Sequence, residues 1–293
     1  MTTLAKTVIA TGASSGLGFE VIKQLLLDQP NPFKFILGVR DPAKTKPEFD
    51  NLKYDTSKHD VSLFQVDYAN LKEVRAFAQN AIEQLGKDKL DYVMLNHAVA
   101  RDATSPGLFG SAWCDSFVVN HQSHHYLLHL LREPITRSHS RVVFVSSGAV
   151  RGTKETNSLR AKMQAGSGTG ASEIYSATKF SQLLGAHHWR RVLKDQATVV
   201  AVSPGMIPGT NLMRHYETKM SSTHADAKDV PTGAKSILRA FDRTDFPADP
   251  NAIFLTSWGE WWDPNEIYPL SLDTKLQDEF CPPQEEIERE ARL

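Results

Sequence analysis

Tyr175 and Lys179 stand four residues apart in the stretch Tyr175-Ser176-Ala177-Thr178-Lys179. That spacing sets both side chains on one face of a helix. A phenol with its ordinary pKa of about 10 is a sluggish proton donor or acceptor at pH 7. A lysine ammonium within about 4–6 Å favours the phenolate and lowers that pKa by roughly 1–3 units. Such a pair exchanges a proton near neutrality. The same spacing also falls by chance on many amphipathic helices. Its weight depends on whether the chain supplies a cofactor for that proton to accompany.

The elements that must position the pair follow from hydrophobic patterning. Seven short runs rich in Val, Ile, Leu and Phe read as strands: 7–11, 34–39, 61–67, 90–96, 141–146, 198–203 and 252–257. Most are apolar on both faces, as parallel strands between two helical layers must be. Helical stretches separate them at 16–29, 70–85, about 111–132, 173–195 and 232–242. Such alternation predicts an α/β fold, a Rossmann-type doubly wound parallel sheet of seven strands with right-handed crossovers and helices on both faces. No repeat or interdomain linker interrupts 1–293, which reads as one domain. The glycine-rich run 166–171 reads as a mobile loop.

After the first strand comes Thr11-Gly12-Ala13-Ser14-Ser15-Gly16-Leu17-Gly18. The glycines let the backbone turn sharply and approach a pyrophosphate, and the next helix offers its N-terminal N–H groups to that charge. Gly12, Ser14, Ser15, Gly16, Leu17 and Gly18 are thus candidate cofactor contacts, with the spacing G-x-x-x-G-x-G. The second strand ends in Val39-Arg40-Asp41. An acidic side chain at its end would hold ribose hydroxyls and repel a 2′-phosphate. The Arg40 guanidinium instead suits a phosphate and favours NADP over NAD. Its competing reading is a solvated turn residue paired with Asp41. Asp67, ending the third strand, lies where an adenine edge would sit, or stands beside the N-cap of helix 70–85. Asn96 falls on the carboxyl edge of the sheet, where ligands bind in such folds.

In this order the chain resembles the short-chain dehydrogenase/reductase family. The residues that carry the resemblance are Gly12, Gly16 and Gly18, Asp67, Asn96-His97-Ala98-Val99, Asn120, Ser146-Ser147, Tyr175 with Lys179, and Pro204-Gly205. It covers essentially the whole chain. Within the family the chain is most similar to the branch of retinol dehydrogenases and light-dependent protochlorophyllide reductases. Val119-Asn120-His121 with His124, Gly209-Thr210-Asn211-Leu212 and the tail around Trp261-Trp262 point there. The resemblance implies that Tyr175 passes a proton to or from the substrate oxygen, while Lys179 lowers its pKa and holds the nicotinamide ribose. Ser147 would hydrogen-bond the same oxygen and steady a developing alkoxide. Asn120 would hold a water linking Lys179 to bulk solvent. Pro204, Gly205 and Ile207 would lie along the nicotinamide, and Thr210 would reach its carboxamide or a phosphate. Tyr68 and Ala98 join Asp67 and Asn96 in the implied cofactor site.

Some residues depart from the family's pattern. His97 and Val99 replace the second Asn and the Gly of Asn-Asn-Ala-Gly. The gap from Pro204-Gly205 to Thr210 is one residue longer than in many members, which puts the role of Thr210 in question. The span from Ser147 to Tyr175 is longer than in simpler members, and 148–174 is expected to wall the substrate pocket or to be a surface loop. The stretch 211–230 reads as a lid over the substrate or as a packing helix. A C-terminal extension, 258–293, carries Trp258, Trp261 and Trp262. They would roof an aromatic substrate, bury the sheet's last edge or form an oligomer contact.

Composition narrows the partners. A net charge of −1 gives no case for nucleic acid or an anionic membrane surface. No apolar run approaches the ~20 residues of a membrane span, and the N-terminus enters the first strand without room for a signal peptide. A cytoplasmic location is the default. Cys114 and Cys281 cannot make a disulfide framework, and Cys114 reads as a small buried filler rather than a nucleophile. His121, His125 and His129 have helical ligand spacing, but no Glu joins them as in H-E-x-x-H, and no metal is expected. His187 and His188 read as surface or subunit contacts. In the resembled family the helices near 111–132 and 173–195 often pair subunits, which leaves a homo-oligomer open.

The expected activity is an NADP(H)-dependent ketoreductase or alcohol dehydrogenase acting on a hydrophobic or aromatic small molecule, with Tyr175 as proton donor. The alternatives are C=C reduction, epimerisation or dehydration at the same site, or a non-catalytic dinucleotide-binding regulator. Intact Asn120, Ser147, Tyr175 and Lys179 argue against the last.

Overall fold

Thr7-Val8-Ile9-Ala10-Thr11 is apolar enough on both faces to need cover on each. In a computed structural model, which describes residues 5–208, 210, 212 and 224–293, it is an inner strand of a seven-stranded sheet. The strands are β1 (Lys6–Thr11), β2 (Phe33–Val39), β3 (Asp60–Gln65), β4 (Tyr92–Leu95), β5 (Arg141–Val145), β6 (Thr198–Val202) and β7 (Phe254–Leu255). All pair in parallel, in the order β3-β2-β1-β4-β5-β6-β7. Successive side chains enter opposite cores, as a period of two requires. Val8, Ala10, Val143 and Val145 pack with the helices Gly16–Asp28 and Val230–Asp242. Ile9, Val142 and Phe144 pack with Leu71–Leu85 and Ala171–Leu193. The strand order reverses between β1 and β4, which opens a crevice at their carboxyl ends.

Several elements differ from the expected ones. The helix expected over 111–132 begins at Asp115 and widens into a π turn at Val118–Gln122. It continues as Ser123–Leu130, and a separate helix, Arg132–Ser138, follows. The helix Pro42–Asp50 lies in a segment without helical apolar periodicity. It is set by its ends rather than by an apolar stripe: Asp41 caps it by accepting from Lys44 N, Pro42 opens it, and only Thr45 and Phe49 are buried. Strand β7 pairs over two residues, because Trp261 and Trp262 fold back on it: Trp262 N donates to Phe254 O and its ring stacks on Phe254. Trp261 and Trp262 thus close the last sheet edge, whereas Trp258 is exposed.

The glycine-rich run 166–171 is pinned to an upstream segment. Gly166 N donates to Ser105 O, Gly168 N to Ala103 O, and Ala103 N to Thr169 O. The C-terminal extension lies across the helices 115–130 and Ala171–Leu193. His121 and His125 bond the carbonyls of Phe280 and Pro282, and Glu288 joins Tyr126 and Arg75. Of the two histidines read as surface or subunit contacts, His187 is buried and half-buried His188 meets Asp278. Among the described residues no helix is long and apolar enough to cross a membrane. Most of the stretch read as a lid, 211–230, lies outside the described residues, at 211 and 213–223, as does Gly209 before it.

Candidate active site

The glycine turn is held by the strand beside it. Thr11 Oγ1 accepts from Asn96 N at 2.9 Å, and Asn96 Nδ2 donates to Thr11 O and Gly12 O at 3.2 and 3.1 Å. Gly12 has φ +66°, a left-handed conformation that favours glycine. A Cβ on Gly18 would lie 2.2 Å from Gly12 O and 2.5 Å from Asn96 Nδ2. The sequence therefore closes the turn tightly onto the carboxyl ends of β1 and β4. Ser15 is the N-cap of helix Gly16–Asp28, yet its side chain makes no capping hydrogen bond. The first helical N–H groups are left for a ligand or water.

Tyr175 and Lys179 share the helix Ala171–Leu193, as expected. Lys179 is buried; its Nζ lies 5.9 Å from the centre of the Tyr175 ring. Nζ donates to Val145 O at 2.9 Å and to Gln182 Oε1 at 3.2 Å. Burial alone pulls the ammonium from its ordinary value down to about 7. Asn120 sits in the π turn, and its amide is engaged at both ends. Oδ1 accepts from Val99 N at 2.8 Å, and Nδ2 donates to Val99 O at 2.8 Å and to Thr178 Oγ1 at 3.0 Å. It thereby ties the loop after β4 to the Tyr175 helix. Ser147 follows β5, and its Oγ accepts from Ala149 N at the start of the turn Gly148–Gly152.

One cavity brings most of these residues together. It is lined by Gly12, Ser14, Ser15, Gly16, Leu17, Arg40, Asp67, Tyr68, Asn96, Ala98, Tyr175, Lys179, Pro204 and Thr210. Gly18, Asn120, Ser147, Gly205 and Ile207, also expected at the site, are not among the residues that line it. Ile207 is buried against Gly233 of the helix Val230–Asp242, while the methyl of Thr210 faces Gly16. Arg40 is exposed at the cavity, and Asp41 pairs with Lys44 rather than with it. Asp67 stands at the cavity wall and beside the N-cap of the next helix. It lines the cavity, and it fixes the chain entering helix Leu71–Leu85 by accepting from Ala69 N.

Arg101 and Asp115, which also line the cavity, were not singled out in the sequence, whereas His97 and Ser146, lining it too, entered only through the family resemblance. Arg101 and Asp115 form an ion pair at 3.2 Å. His97 stacks on Tyr68 with ring centres 3.6 Å apart and an interplanar angle of 9°. The departure at position 97 from the resembled family was the available signal. Tyr68 is buried, its hydroxyl has no hydrogen-bond partner among the described residues, and burial holds its phenol well above the ordinary range. Cys114 is buried, its thiol pushed up to about 11 by desolvation, which is unsuited to a nucleophile.

Known proteins resemble this chain in sequence and in fold. The family model "short chain dehydrogenase" matches residues 6–221. A short-chain dehydrogenase/reductase of Pestalotiopsis microspora is 53% identical over 289 residues, 98% of this chain and 99% of that protein. Human retinol dehydrogenase 13 is 31% identical over 216 residues, 72% of this chain and 61% of that protein. Among solved structures, NADPH-bound carbonyl reductase from chicken fatty liver matches in fold with a TM-score of 0.65 at 17% identity, over 88% of this chain and 98% of that one. With a family model over most of its length and a relative matched nearly end to end, the chain belongs to the short-chain dehydrogenase/reductase family of enzymes.

Proposed function

We propose that the enzyme uses NADP(H) to interconvert a carbonyl and a secondary alcohol on a hydrophobic or aromatic small molecule, acting as one domain. The observation that carries this reading is a single cavity with the glycine turn and Arg40 at one part of its wall and Tyr175 with buried Lys179 at another. The residues fit a phosphorylated dinucleotide. The uncapped helix start and the closely packed Gly12 and Gly18 suit a pyrophosphate, and exposed Arg40 suits a 2′-phosphate. Tyr68, Asp67, Asn96 and Ala98 would take the adenosine side, with Pro204, Gly205, Ile207 and Thr210 around the nicotinamide.

The bound cofactor supplies hydride chemistry; the chain supplies orientation and a proton. Tyr175 donates its phenolic proton to the carbonyl oxygen in reduction and takes it back in oxidation. Lys179 makes the phenol a stronger acid through its charge. Ser147 hydrogen-bonds the same oxygen. Asn120 holds the π turn and the Tyr175 helix in register. Trp262, which packs beside Gly148 and under the Arg151 guanidinium at 5.1 Å, offers an aromatic wall next to Ser147. The likeness to retinol dehydrogenases favours the same substrate class. Titration with NADPH and with NADH, followed by nicotinamide fluorescence, tests the cofactor. NADPH should bind more tightly, and Arg40→Ala should erode that preference at least tenfold, on the order of 1.4 kcal/mol. Equal binding of both cofactors, unchanged in Arg40→Ala, would remove the argument for NADP.

A further inference from the structure

Behind Lys179, buried side chains from three segments of the chain form one continuous run of hydrogen bonds. Lys179 Nζ donates to Gln182 Oε1, so the Gln182 amide has only N–H to offer onward. Its Nε2 lies 3.0 Å from His124 Nδ1, which must then accept. The His124 proton is therefore on Nε2, 3.0 Å from His97 Nδ1. By the same reasoning His97 carries its proton on Nε2, 2.9 Å from Ser123 Oγ, and Ser123 donates to Val119 O at 2.8 Å. Each step is fixed by the one before it, and every acceptor end points back toward Lys179. Gln182, His124 and Ser123 are wholly buried, and His97 is clamped by the face of Tyr68. The run ends on a backbone carbonyl inside the π turn, so it offers no path for protons to solvent.

The titratable groups facing Lys179 are Tyr175 on its own helix, His97 after β4 and His124 on the crossing helix. Burial keeps both histidines well below their ordinary range, hence neutral. Among the described residues no carboxylate forms an ion pair with Lys179. Its charge is thus held by dipoles, Val145 O and the end of this run. We propose that Gln182, His124 and His97 are positioning residues that hold Lys179 and sustain its charge beside Tyr175. This rests on the reading of Tyr175 and Lys179 as the working pair.

The test needs no substrate. Phenolate absorbance is titrated in the protein and in Tyr175→Phe, and the difference isolates Tyr175. Phenolate should develop at a pH higher by roughly one unit in His124→Leu and in Gln182→Met, the second close to the original volume should the first not fold. His124→Asn, which restores an acceptor for Gln182, should recover most of that shift. An unmoved Tyr175 titration in folded Gln182→Met overturns the inference, as does an equal shift in His124→Leu and His124→Asn. Turnover retained by Tyr175→Phe would instead count against the proposed function, so the two failures are distinguishable.

Discussion

At the scale of single residues, a proton held by Tyr175 is the decisive group. Tyr175→Phe should lower turnover of a carbonyl substrate by roughly 10²–10⁴-fold while leaving NADPH affinity within a few-fold, measured by steady-state kinetics and fluorescence titration. Undiminished turnover would contradict the assignment. Lys179→Met deprives Val145 O and Gln182 Oε1 of a buried donor, but it also removes a desolvated ammonium that costs stability below its unfolded pKa. Chemical denaturation near neutral pH should therefore show stability held or raised, and a clear loss would mean that the ammonium is not desolvated. Tyr175 and Lys179 were legible because four residues on a helix is a local relation. The roles of Gln182, His124 and His97 were not. Their contacts join positions far apart in sequence, and a buried histidine looks the same in sequence as an exposed one.

At the scale of elements, the glycine turn was legible and its support was not. Glycines between a strand and a helix announce a tight turn, but only the fold shows Asn96 Nδ2 tying that turn down. Gly18→Ala must force a Cβ against Gly12 O and Asn96 Nδ2. It should cost about 1–3 kcal/mol as an overpacked contact and weaken NADPH binding more than tenfold. Wild-type binding in that variant would show that the turn does not set the cofactor site. The π turn at Val118–Gln122 was hidden for a different reason. Its apolar and polar pattern reads as an ordinary helix, and the extra residue is stabilised by Asn120 bonding Val99 and Thr178 across elements. Strand β7 was read too long because an apolar run does not reveal where the chain folds back to cover it.

At the scale of the whole molecule, strand–helix alternation made the parallel sheet legible, whereas the placement of the C-terminal extension was not. Its largely polar helices carry little apolar signal, and their partners, among them Arg75, His121 and Arg191, lie far upstream. Phe280, within the extension, is buried against Phe117, so Phe280→Ala should destabilise the fold by about 3–5 kcal/mol in urea unfolding. The buried histidines also make the fold sensitive to acid. Burial lowers the imidazoles of His97, His121, His124, His125 and His187, to about 4 at His121 and about 3 at His187. The unfolded chain takes up these protons below about pH 6.5, where the folded chain does not. Stability is therefore full above about pH 6.5 and falls as the pH drops toward those lower values, by ~1.4 kcal/mol per unit for each such histidine. Thermal melts from about pH 7.5 down to about pH 5 should show a steep fall. A flat profile would mean that these rings are not buried as neutral groups. The most direct measurement of the central claim is the fate of deuterium from NADPH labelled at nicotinamide C4, followed in a screen of hydrophobic and aromatic ketones. Deuterium is expected on the carbinol carbon of the product, with little product from Tyr175→Phe. Product without label, or equal product from Tyr175→Phe, would contradict it.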